Sequence, residues 1–548
     1  MSDSIANEVL REVEMEKADR GNFESLWTQS ARRVFPRGDN FQGRHTTPGE
    51  RRTEWQFTSK PVLANERWAA IMLSLMMPPS EFYHGFRAEE RAIRKDIEVK
   101  RWCEETRDDA FQLRYSTRSA FSGQINELLL GVGAFGTGAM FIDDRPGKPV
   151  NYKSLPLEKT WLREGENGHV NQAYRQLDLR PMQAISMFGA DQLPEQIVKA
   201  AETQPNKTYA FYHRIKPRDM VNRNLRFSVE SMPFQSDYVC ELEKKHLETG
   251  GYRTWPIPVM RCNTLSNEVY GRGPAQTVLA DIKMQNEIWR TILRSSHRMA
   301  EPTMLLADDA ALAPFQNQPG FRNKGYIKST DGTLLAQQLK WEGDLNAAML
   351  VSQAAQQDID DAFAQTIWQL MLTNPNMTAT EVLERLRERG MLLTPSAGRM
   401  FKEFVPVMAE RELDILQSRG KLAEVPEQLA AYGGSIEVTD DSPLAKAMKA
   451  ARAIGFDRTI QQVTPLAQVN PRVMQRFKTE EILPELAEIH GMPVSWLYSE
   501  EEFARLMEQQ DREQAMEKIA AAAPGLATAA KDAAQARLFT QQAGGGPA

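Results

Sequence analysis

Asn267-Glu-Val-Tyr-Gly-Arg-Gly-Pro274 is the stretch of sequence that decides how this chain is organised. Gly271 and Gly273 can adopt backbone conformations that are closed to other residues, and Pro274 suits the first turn of a helix. The sequence therefore predicts a turn here, followed by a long helix over residues 274–298. The stretch encodes no reaction and has the character of a structural hinge, formed by Gly271, Arg272, Gly273 and Pro274.

The composition is that of a large soluble protein. The chain has 548 residues, which is too long for one simple core, so two to four subdomains are expected. The net charge of −6 at pH 7 gives no overall basic field, and this argues against a protein that grips nucleic acid. It does not exclude a protein past which DNA slides, because sliding needs few phosphate contacts.

Cysteine usage and hydropathy indicate synthesis in the cytoplasm. Cys103, Cys240 and Cys262 are scattered without a CxxC pair, which is typical of a reducing compartment. The polar, acidic N-terminus does not resemble a signal peptide. The most apolar run, at residues 68–77, covers about half of the ~20 residues that a membrane-spanning helix needs. No membrane association is therefore expected.

The hydrophobic pattern predicts an α+β, mainly helical fold. Helical periodicity dominates the first 130 residues, and short apolar runs then predict strands between residues 139 and 261. A second long helix is expected from Asp344, its N-cap, to Leu372. The two long helices bracket a small β element and form rods of about 37–45 Å. Such rods cannot bury both faces within one subunit, so neighbouring copies are expected to cover them.

A third helical region follows the two rods. It begins at a capping box, Thr378-Ala-Thr-Glu381. Gly390-Met-Leu-Leu-Thr-Pro395 is predicted to interrupt it before a long helix resumes to about residue 417. Residues 434–443 have the pattern of one returning strand and a turn. From about Ala520 the chain is rich in alanine and glycine, which predicts partial disorder.

One glycine motif points to a different class of protein. Gly131-Val-Gly-Ala-Phe-Gly136 matches the GxGxxG pattern of a dinucleotide-binding turn. That turn needs a strand before the glycines and a helix after them, so that the helix N-terminus meets the pyrophosphate. Here a predicted helix precedes the motif and a predicted strand follows it. We therefore expect a helix-to-strand connection, and a dinucleotide-dependent enzyme is a less favoured alternative.

Other catalytic and metal-binding patterns are absent from the sequence. There is no GxxxxGK[ST], no GxSxG and no HExxH. Adjacent acids at 143–144, 308–309 and 440–441 could bind a cation, but acids in turns are usually solvated or capping residues. The sequence therefore predicts no enzyme, no cofactor and no metal site.

Basic residues mark two candidate surfaces. Four of them share one face of the first long helix: Arg290, Arg294, His297 and Arg298. They could touch DNA phosphates in a channel, or they could form salt bridges with the second rod or a neighbouring chain. The second interpretation is favoured, and its candidate acids are Asp358, Asp360 and Asp361. A further basic patch, either a solvated loop or a docking surface for a partner, comprises Arg322, Lys324 and Lys328.

These features occur along nearly the whole chain in an order and spacing that resemble the portal (head-to-tail connector) proteins of short-tailed bacteriophages. Each marker is weak by itself, but their order is specific. The markers are Trp27, Arg33-Val-Phe-Pro36, Leu75-Met-Met-Pro-Pro79, Gly136-Thr-Gly-Ala139, Leu155-Pro-Leu157, Met187-Phe-Gly189, Gly271-Arg-Gly-Pro274, Thr378-Ala-Thr-Glu-Val382, Ser442-Pro-Leu-Ala445 and Gly491-Met-Pro493. Two departures are Arg261-Cys-Asn263, where Arg-Trp is expected, and the segment from Ala520.

The resemblance implies a ring, the family's dodecamer of about twelve copies, around a central channel. The implied parts are a wing (1–270), a first stem helix (271–300), a clip (301–343), a second stem helix (344–373), a long wing helix (374–433) with a tunnel loop near 390–396, a crown (434–515) and a flexible tail (516–548). In the implied tunnel loop, the apolar Met391, Leu392 and Leu393 suit weak contact with moving DNA.

The resemblance also implies a function. Double-stranded DNA would pass through the ring at one capsid vertex during packaging and ejection, in transient, non-specific contact. The implied partners are the major capsid protein, a scaffolding protein, the terminase large subunit and a tail adaptor. ATP hydrolysis would belong to the packaging motor. The runner-up is another non-enzymatic virion structural protein, a minor capsid or internal core protein, which would form no ring of definite stoichiometry.

Overall fold

A computed structural model describes residues 2–41, 49–50, 52–94, 96–144, 150–221, 228–300, 345–365, 379–443 and 445–446, with short pieces at 304–306, 336–338 and between 456 and 512. The chain divides into two units. The first comprises Met1–Arg87, Cys103–Val425 and Ile436–Met448, and the second comprises Ala88–Trp102, Pro426–Ser435 and Lys449–Ala548. The elements described below belong to the first unit unless stated otherwise.

Three helices form the N-terminal part of the first unit: α1 (Ser2–Asp19), α2 (Gly21–Val34) and α3 (Lys60–Met76). Apolar residues recur in them at helical spacing, so each helix has a buried stripe. Pro61 stands in the first turn of α3, where its missing N–H costs no hydrogen bond. The predicted helical character of this region is confirmed.

A helix-to-strand connection lies at the centre of the first unit. After α4 (Ile97–Arg114), which begins in the second unit, α5 (Phe121–Phe135) ends at Gly136 in the left-handed conformation, with φ of 77°. The chain then enters β2 (Thr137–Asp143). This strand lies between β3 (Asn151–Leu155) and β9 (Val259–Arg261) in an antiparallel sheet. The expected helix-to-strand role of the GxGxxG motif is confirmed.

A five-stranded antiparallel sheet follows in chain order. Its strands are β4 (Thr160–Glu164), β5 (Val170–Leu179), β6 (Tyr209–Pro217), β7 (Phe234–Cys240) and β8 (Lys245–Tyr252). On one face, Val9 and Val13 of α1 pack against Trp161, Tyr174 and Tyr212. The other face packs against α6 (Pro181–Phe188) and α7 (Glu195–Thr203). The sheet is therefore covered on both faces, as an α+β fold requires.

Two further strands are paired across a long stretch of sequence. β1 (His84–Ala88) pairs with β12 (Ile436–Asp440), the returning strand predicted near residue 434. Just beyond that pair, the backbone N–H of Asp441 donates to the carbonyl oxygen of Tyr83 over 3.0 Å. In the second unit, α12 (Glu427–Ala431) begins after Pro426.

The two long helices of the sequence prediction are present with a β pair between them. The chain passes from α8 (Pro274–Thr277) and α9 (Leu279–Ala300) into β10 (Met304–Leu306), which pairs antiparallel with β11 (Ala336–Gln338). It then enters α10 (Leu345–Ala362), which packs against α9. A 40-residue helix, α11 (Ala379–Ser418), follows.

Two predictions about helix ends are wrong. The sequence predicts one unbroken second rod from Asp344 to Leu372, but α10 ends at Ala362, and Ala364 has a φ of 54°, which a right-handed helix cannot accommodate. The predicted N-cap Asp344 and residues 366–372 lie outside the described residues. The interruption expected over residues 390–395 does not occur, because α11 is continuous through them with Pro395 and Pro406 inside it. An internal proline costs about 3 kcal/mol. Burial of Met400, Phe404 and Met408 along one stripe of the same helix offsets that cost.

The core of the first unit joins α2, α3, α5 and α11 to the three-stranded sheet. Trp27 packs edge-on against Tyr270 with ring centroids 5.0 Å apart, and Phe41 packs edge-on against Phe135 at 5.2 Å. Within the described part of the chain, no helix is both long enough and apolar enough to cross a membrane.

Candidate functional site

The two glycine motifs of the sequence form one junction. A Cβ atom on Gly136 would lie 2.3 Å from the carbonyl oxygen of Gly271, and a Cβ on Gly273 would lie 2.6 Å from the carbonyl oxygen of Val132. Both distances are far shorter than a real Cβ contact, so only glycine allows this approach. The backbone at the end of α5 therefore packs directly against the backbone that begins α8.

Hydrogen bonds hold the junction in one arrangement. The N–H of Gly271 donates to Thr137 Oγ1 over 2.8 Å, and the N–H of Cys262 donates to the carbonyl oxygen of Gly136 over 3.0 Å. The side chain of Gln276, in α8, donates to the carbonyl oxygen of Phe135 over 3.0 Å. These contacts set the direction in which α8 begins relative to α5, and the structural-hinge role of residues 271–274 stays a prediction.

The residues flanking the two glycines have local roles. Pro274 is the first residue of α8, which matches its suitability for a first helical turn. Arg272 is exposed and forms an ion pair of 2.7 Å with Glu268. Its backbone forms a bridge with Asn263, so the stretch that follows β9 folds back on itself before the helix begins.

A buried arginine ties this junction to α11. Arg261, at the end of β9, has a side chain that is 1% exposed and contacts Glu403 of α11 at 2.9 Å. It also pairs with Glu164 of β4. Burial disfavours the charged guanidinium, but the two carboxylates outweigh that cost, so the pKa of Arg261 is raised. The arginine therefore stays charged and links two sheets to one helix.

A short segment before α3 clamps the base of the two long helices. Asn286 of α9 donates to the carbonyl oxygen of Trp55 and accepts from the N–H of Phe57, both over 2.8 Å. Lys60 forms a salt bridge of 2.7 Å with Asp360 of α10. One short segment therefore contacts both α9 and α10. Since β10 and β11 join the other ends of the helices, α9 and α10 run antiparallel.

Most of the basic residues on α9 are exposed. Ile292 and Ser295 are buried, whereas Arg294, His297 and Arg298 are exposed. Arg290 is half-buried and forms an ion pair of 3.3 Å with Glu287. Three members of the predicted stripe thus share an exposed face. The interpretation that they pair with acids of the same chain is not supported for Asp360, whose partner is Lys60.

The side chains of two other sets of predicted site residues lie outside the described part of the chain. Met391, Leu392 and Leu393 belong to the continuous helix α11, not to a loop, and their side chains lie outside the described residues. The basic patch of Arg322, Lys324 and Lys328 also lies outside the described residues.

A second buried ion network has no counterpart in the sequence predictions. Arg114 and Glu412 both have fully buried side chains and contact each other at 2.6 Å. Tyr152 donates to Glu412 and Arg114 donates to Tyr83, each over 2.5 Å. Arg114 also donates to Nε2 of His84, and burial beside this cation lowers the pKa of His84 well below its ordinary value. The network joins α4 to α11 across 298 positions of sequence, which no local pattern encodes.

The thiols and acids of the described region show no reactive arrangement. Burial raises the pKa of Cys103 and Cys240 to about 11 and that of Cys262 to about 12, so these thiols are protonated at neutral pH. Among the described residues, no group of three or more histidine, cysteine or acidic side chains could hold a metal ion. The ion pairs described above position helices.

The fold and the site define a structural protein that sets a pair of long helices in a fixed direction. The chain belongs to the family of bacteriophage head to tail connecting proteins, whose family model matches residues 6–497. The match covers the elements before α8, the paired helices and α11 together. It confirms the resemblance inferred from the order of the sequence markers.

Two relatives match over nearly their whole length. A "Probable portal protein" of Bordetella phage BPP-1 is 22% identical over 527 residues, which cover 94% of this chain and 93% of the relative. A "Portal protein" of Salmonella phage epsilon15 is 22% identical over 556 residues, which cover 96% of each chain. The family and these names favour a connector over a minor capsid or internal core protein.

Solved structures give a weaker likeness. A chain from the "Virion of native gene transfer agent (GTA) particle" has a TM-score of 0.37 at 13% identity, covering 77% of this chain and 91% of that chain. A chain from the "Neck of native GTA particle computed with C12 symmetry" has a TM-score of 0.35 at 13% identity, covering 75% and 88%. These scores are too low to add to the argument.

The family determines the general role. A connector between head and tail has partners on the capsid side and on the tail side, and its place is in the virion. Connectors are structural proteins, and the buried ion pairs of the first unit are of that kind.

Proposed function

We propose that copies of this chain form a closed ring at one vertex of a phage head, and that double-stranded DNA passes through its channel during packaging and ejection. The observation that carries the ring is exposed apolar surface on the paired helices. Leu350 of α10 is 67% exposed and Leu293 of α9 is 43% exposed. Apolar surface of this kind marks an interaction site, and a ring of identical copies covers it on every subunit at once.

The relatives support the identity of the ring. Both carry the name portal protein, and each match spans more than nine-tenths of this chain. We propose about twelve subunits, as the resemblance to the family implies. Within the ring, α9 and α10 are the stem, the residues between them are the clip, and the elements before α8 are the wing.

The negative net charge of the ring is proposed to keep the contact between the channel and DNA weak. Twelve copies at −6 carry 12 × −6 = −72, so the surface repels DNA except where basic side chains intervene. The exposed Arg294, His297 and Arg298 are the proposed phosphate contacts in the stem, and their small number suits rapid passage. Met391, Leu392 and Leu393 are a second proposed contact, in which apolar side chains bind DNA only weakly.

Partners are proposed by position along the chain. The clip would dock the terminase large subunit during packaging and a tail adaptor afterwards, with Arg322, Lys324 and Lys328 as candidate contacts. The wing would contact the major capsid protein and a scaffolding protein, and the ring would nucleate capsid assembly. ATP hydrolysis belongs to the motor in this proposal, so the ring is no enzyme and needs no cofactor. The chain is made in the host cytoplasm before it enters the virion.

Native mass spectrometry, together with negative-stain imaging, tests the proposal. We expect a species near twelve times 62.1 kDa with a central hole. A stable monomer at micromolar concentration, with no ring beside capsid components, would overturn the proposal and favour a minor capsid protein. A ring of another size would correct the subunit number and keep the function.

A further inference from the structure

The first helix, α1, lies against strands β4, β6, β7 and β8 of the five-stranded sheet with little apolar contact. Among its described side chains, three are buried, and all three are small: Ala6, Val9 and Val13. Ile5 and Leu10 are half-buried beside them. Most helices in proteins are stabilised chiefly by burial of an apolar face, and α1 buries little apolar surface. Its polar contacts therefore decide how firmly it is held.

These polar contacts are ion pairs between acids of α1 and bases of the sheet. Arg214 of β6 is buried and contacts Glu8 at 2.7 Å and Glu12 at 2.9 Å. Glu8 also pairs with Lys216 at 3.0 Å. The side chains of Glu8 and Glu12 are 47% and 25% exposed, so dissolved salt screens these pairs. The attachment of α1 to the sheet therefore depends on ionic strength.

The buried arginine keeps a partner when α1 separates from the sheet. Asp237 of β7 contacts Nη2 of Arg214 at 2.8 Å and also accepts from its Nε. The side chain of Asp237 is fully buried in the sheet, so this pair does not depend on α1. Breaking a buried ion pair is costly mainly because it leaves a buried charge without a partner. Separation of α1 leaves no such charge on Arg214.

Two polar groups beneath α1 have no hydrogen-bond partner within the described structure. They are Nε1 of Trp161 in β4 and the hydroxyl of Tyr174 in β5, and both residues are buried. Burial raises the pKa of Tyr174, and the nearby Glu12 and Glu16 of α1 add to the effect, so its hydroxyl lies close to α1. A buried polar group without a partner has lost its bonds to water and gained none in exchange. Both groups therefore favour separation of α1.

The C-terminal end of α1 is held in a different way. Arg20, which stands between α1 and α2, has a side chain that is 1% exposed. Its guanidinium donates to three backbone carbonyl oxygens, over 2.6–3.0 Å, at Thr160, Leu157 and Glu158. Such charge-assisted bonds to a buried cation are screened by salt much less than exposed pairs are. This end of the helix therefore stays in place when the preceding turns move.

We infer that α1 is a strap, a helix that opens from the sheet as one unit with Arg20 as its fixed end, while the remainder of the first unit stays folded. Salt favours the open state because it weakens the pairs of Glu8 and Glu12. Opening uncovers a face of the sheet that carries three aromatic rings: Trp161, Tyr174 and Tyr212. The strap is thus a reversible, salt-sensitive cover, and it operates within a single copy of the chain.

Hydrogen exchange of the unassembled full-length chain, read by mass spectrometry of its peptides, tests the strap. After correction for intrinsic rates, amides of residues 5–15 are expected to exchange at least about tenfold faster than those of α5, because local opening exposes them without global unfolding. Raising the salt from about 0.05 M to about 0.5 M is expected to speed exchange in α1 and to leave α5 unchanged. Amides next to Arg20 are expected to exchange more slowly than those near Glu8.

Two tyrosines of the sheet provide a matched pair of variants. Tyr174→Phe removes a hydroxyl that has no partner, so exchange in α1 is expected to slow by about fivefold. Tyr212→Phe removes a hydroxyl that accepts a hydrogen bond from Lys17 over 3.4 Å, so exchange in α1 is expected to speed up by about twofold. Because the chemical change is the same, the opposite signs separate the strap from general loosening of the sheet.

Two acids of α1 provide a second matched pair. Glu12→Gln weakens a pair with the sheet and is expected to speed exchange in α1 by about fivefold at low salt and by less at high salt. Glu14 pairs with Lys17 of the same helix, so Glu14→Gln is the control and is expected to keep exchange within about twofold of the unchanged chain.

Three results would overturn the inference. The first is exchange in α1 that is as slow as in α5 at every salt concentration. The second is a set of variants that change both helices equally, because α1 would then open only when the whole unit unfolds. The third is faster exchange in Tyr174→Phe, because the hydroxyl would then have a partner that holds α1 in place.

Discussion

Replacement of Gly136 by alanine tests whether the junction between α5 and α8 depends on direct backbone contact. Gly136 has a φ of 77°, and a left-handed conformation costs an L-residue about 1–2 kcal/mol. The added Cβ would also lie 2.3 Å from the carbonyl oxygen of Gly271 and 2.4 Å from the backbone nitrogen of Gly273. Because these neighbours are backbone atoms, they cannot rotate away as a side chain would.

The expected cost follows from these two contributions. Forcing a methyl group into a packed site costs about 1–3 kcal/mol, which adds to the conformational cost. Alanine also lowers the entropy of the unfolded chain and returns about 0.4–1 kcal/mol. We therefore expect Gly136→Ala to lower the free energy of unfolding by about 2–4 kcal/mol.

Gly420→Ala is the matched control. Gly420 also follows a helix and has a φ of 63°, but a Cβ added there would have no atom within 4 Å. Its replacement keeps only the conformational cost, about 1 kcal/mol net. Gly273→Ala isolates the steric contribution. The φ of Gly273 is −91°, which suits alanine, but an added Cβ would meet the carbonyl oxygen of Val132.

Urea unfolding of the unassembled chain, followed by tryptophan fluorescence, measures these differences. A chain of this size is not expected to unfold in one step, so the transition of the first unit is compared between variants. The reasoning is refuted if Gly136→Ala is no less stable than Gly420→Ala, because the junction would then tolerate a side chain.

Three further predictions concern the buried polar groups. Glu412→Ala leaves the guanidinium of Arg114 buried and unpaired, and we expect a loss of about 3–5 kcal/mol in urea unfolding; a loss below about 1 kcal/mol would contradict this. Asn286→Ala removes both hydrogen bonds to the segment before α3 and is expected to cost about 1–3 kcal/mol and to speed proteolysis near Trp55. His213 accepts a hydrogen bond from Arg175 over 2.7 Å, and burial beside that cation lowers its pKa well below 6.5. The unfolded chain therefore binds a proton that the folded chain does not, so stability is lost as pH falls below about 6.5, by up to about 1.4 kcal/mol per pH unit. His213→Gln should show a shallower loss between pH 6.5 and 5, and an unchanged slope would contradict the assignment.

The elements that sequence reasoning finds are those with strong local signals. The helix at Pro274 and the helix-to-strand connection at Gly136 follow from proline and glycine chemistry within a few residues. Up to residue 261, the individual strand predictions cover residues 139–142, 150–155, 170–174, 209–215, 226–229 and 256–261, so they miss β1 and β4 as well as β7 and β8. Asp237 is buried in β7 and Gly250 and Gly251 lie in β8, so neither strand shows the alternation that marks a strand.

The long helix α11 shows a local signal overridden by packing. Gly390 and Pro395 favour an interruption, and the structure has a continuous helix. Beyond Pro395, Arg261 pairs with Glu403 and Arg114 pairs with Glu412. These two buried ion pairs fix the helix at residues 403 and 412. The interruption that local propensity favours does not form, and the buried ion pairs of the same helix lie beyond Pro395.

The sequence by itself determined the order of elements, the α+β class and the resemblance to portal proteins. It could do so because turns, caps and hydrophobic periodicity act between neighbouring residues. Only the tertiary structure decided that the glycines near residue 136 and those near residue 272 meet in one junction, and that Arg114 pairs with Glu412. Such contacts join residues far apart along the chain, and their partners are selected by the packing of the whole core, which no local pattern records.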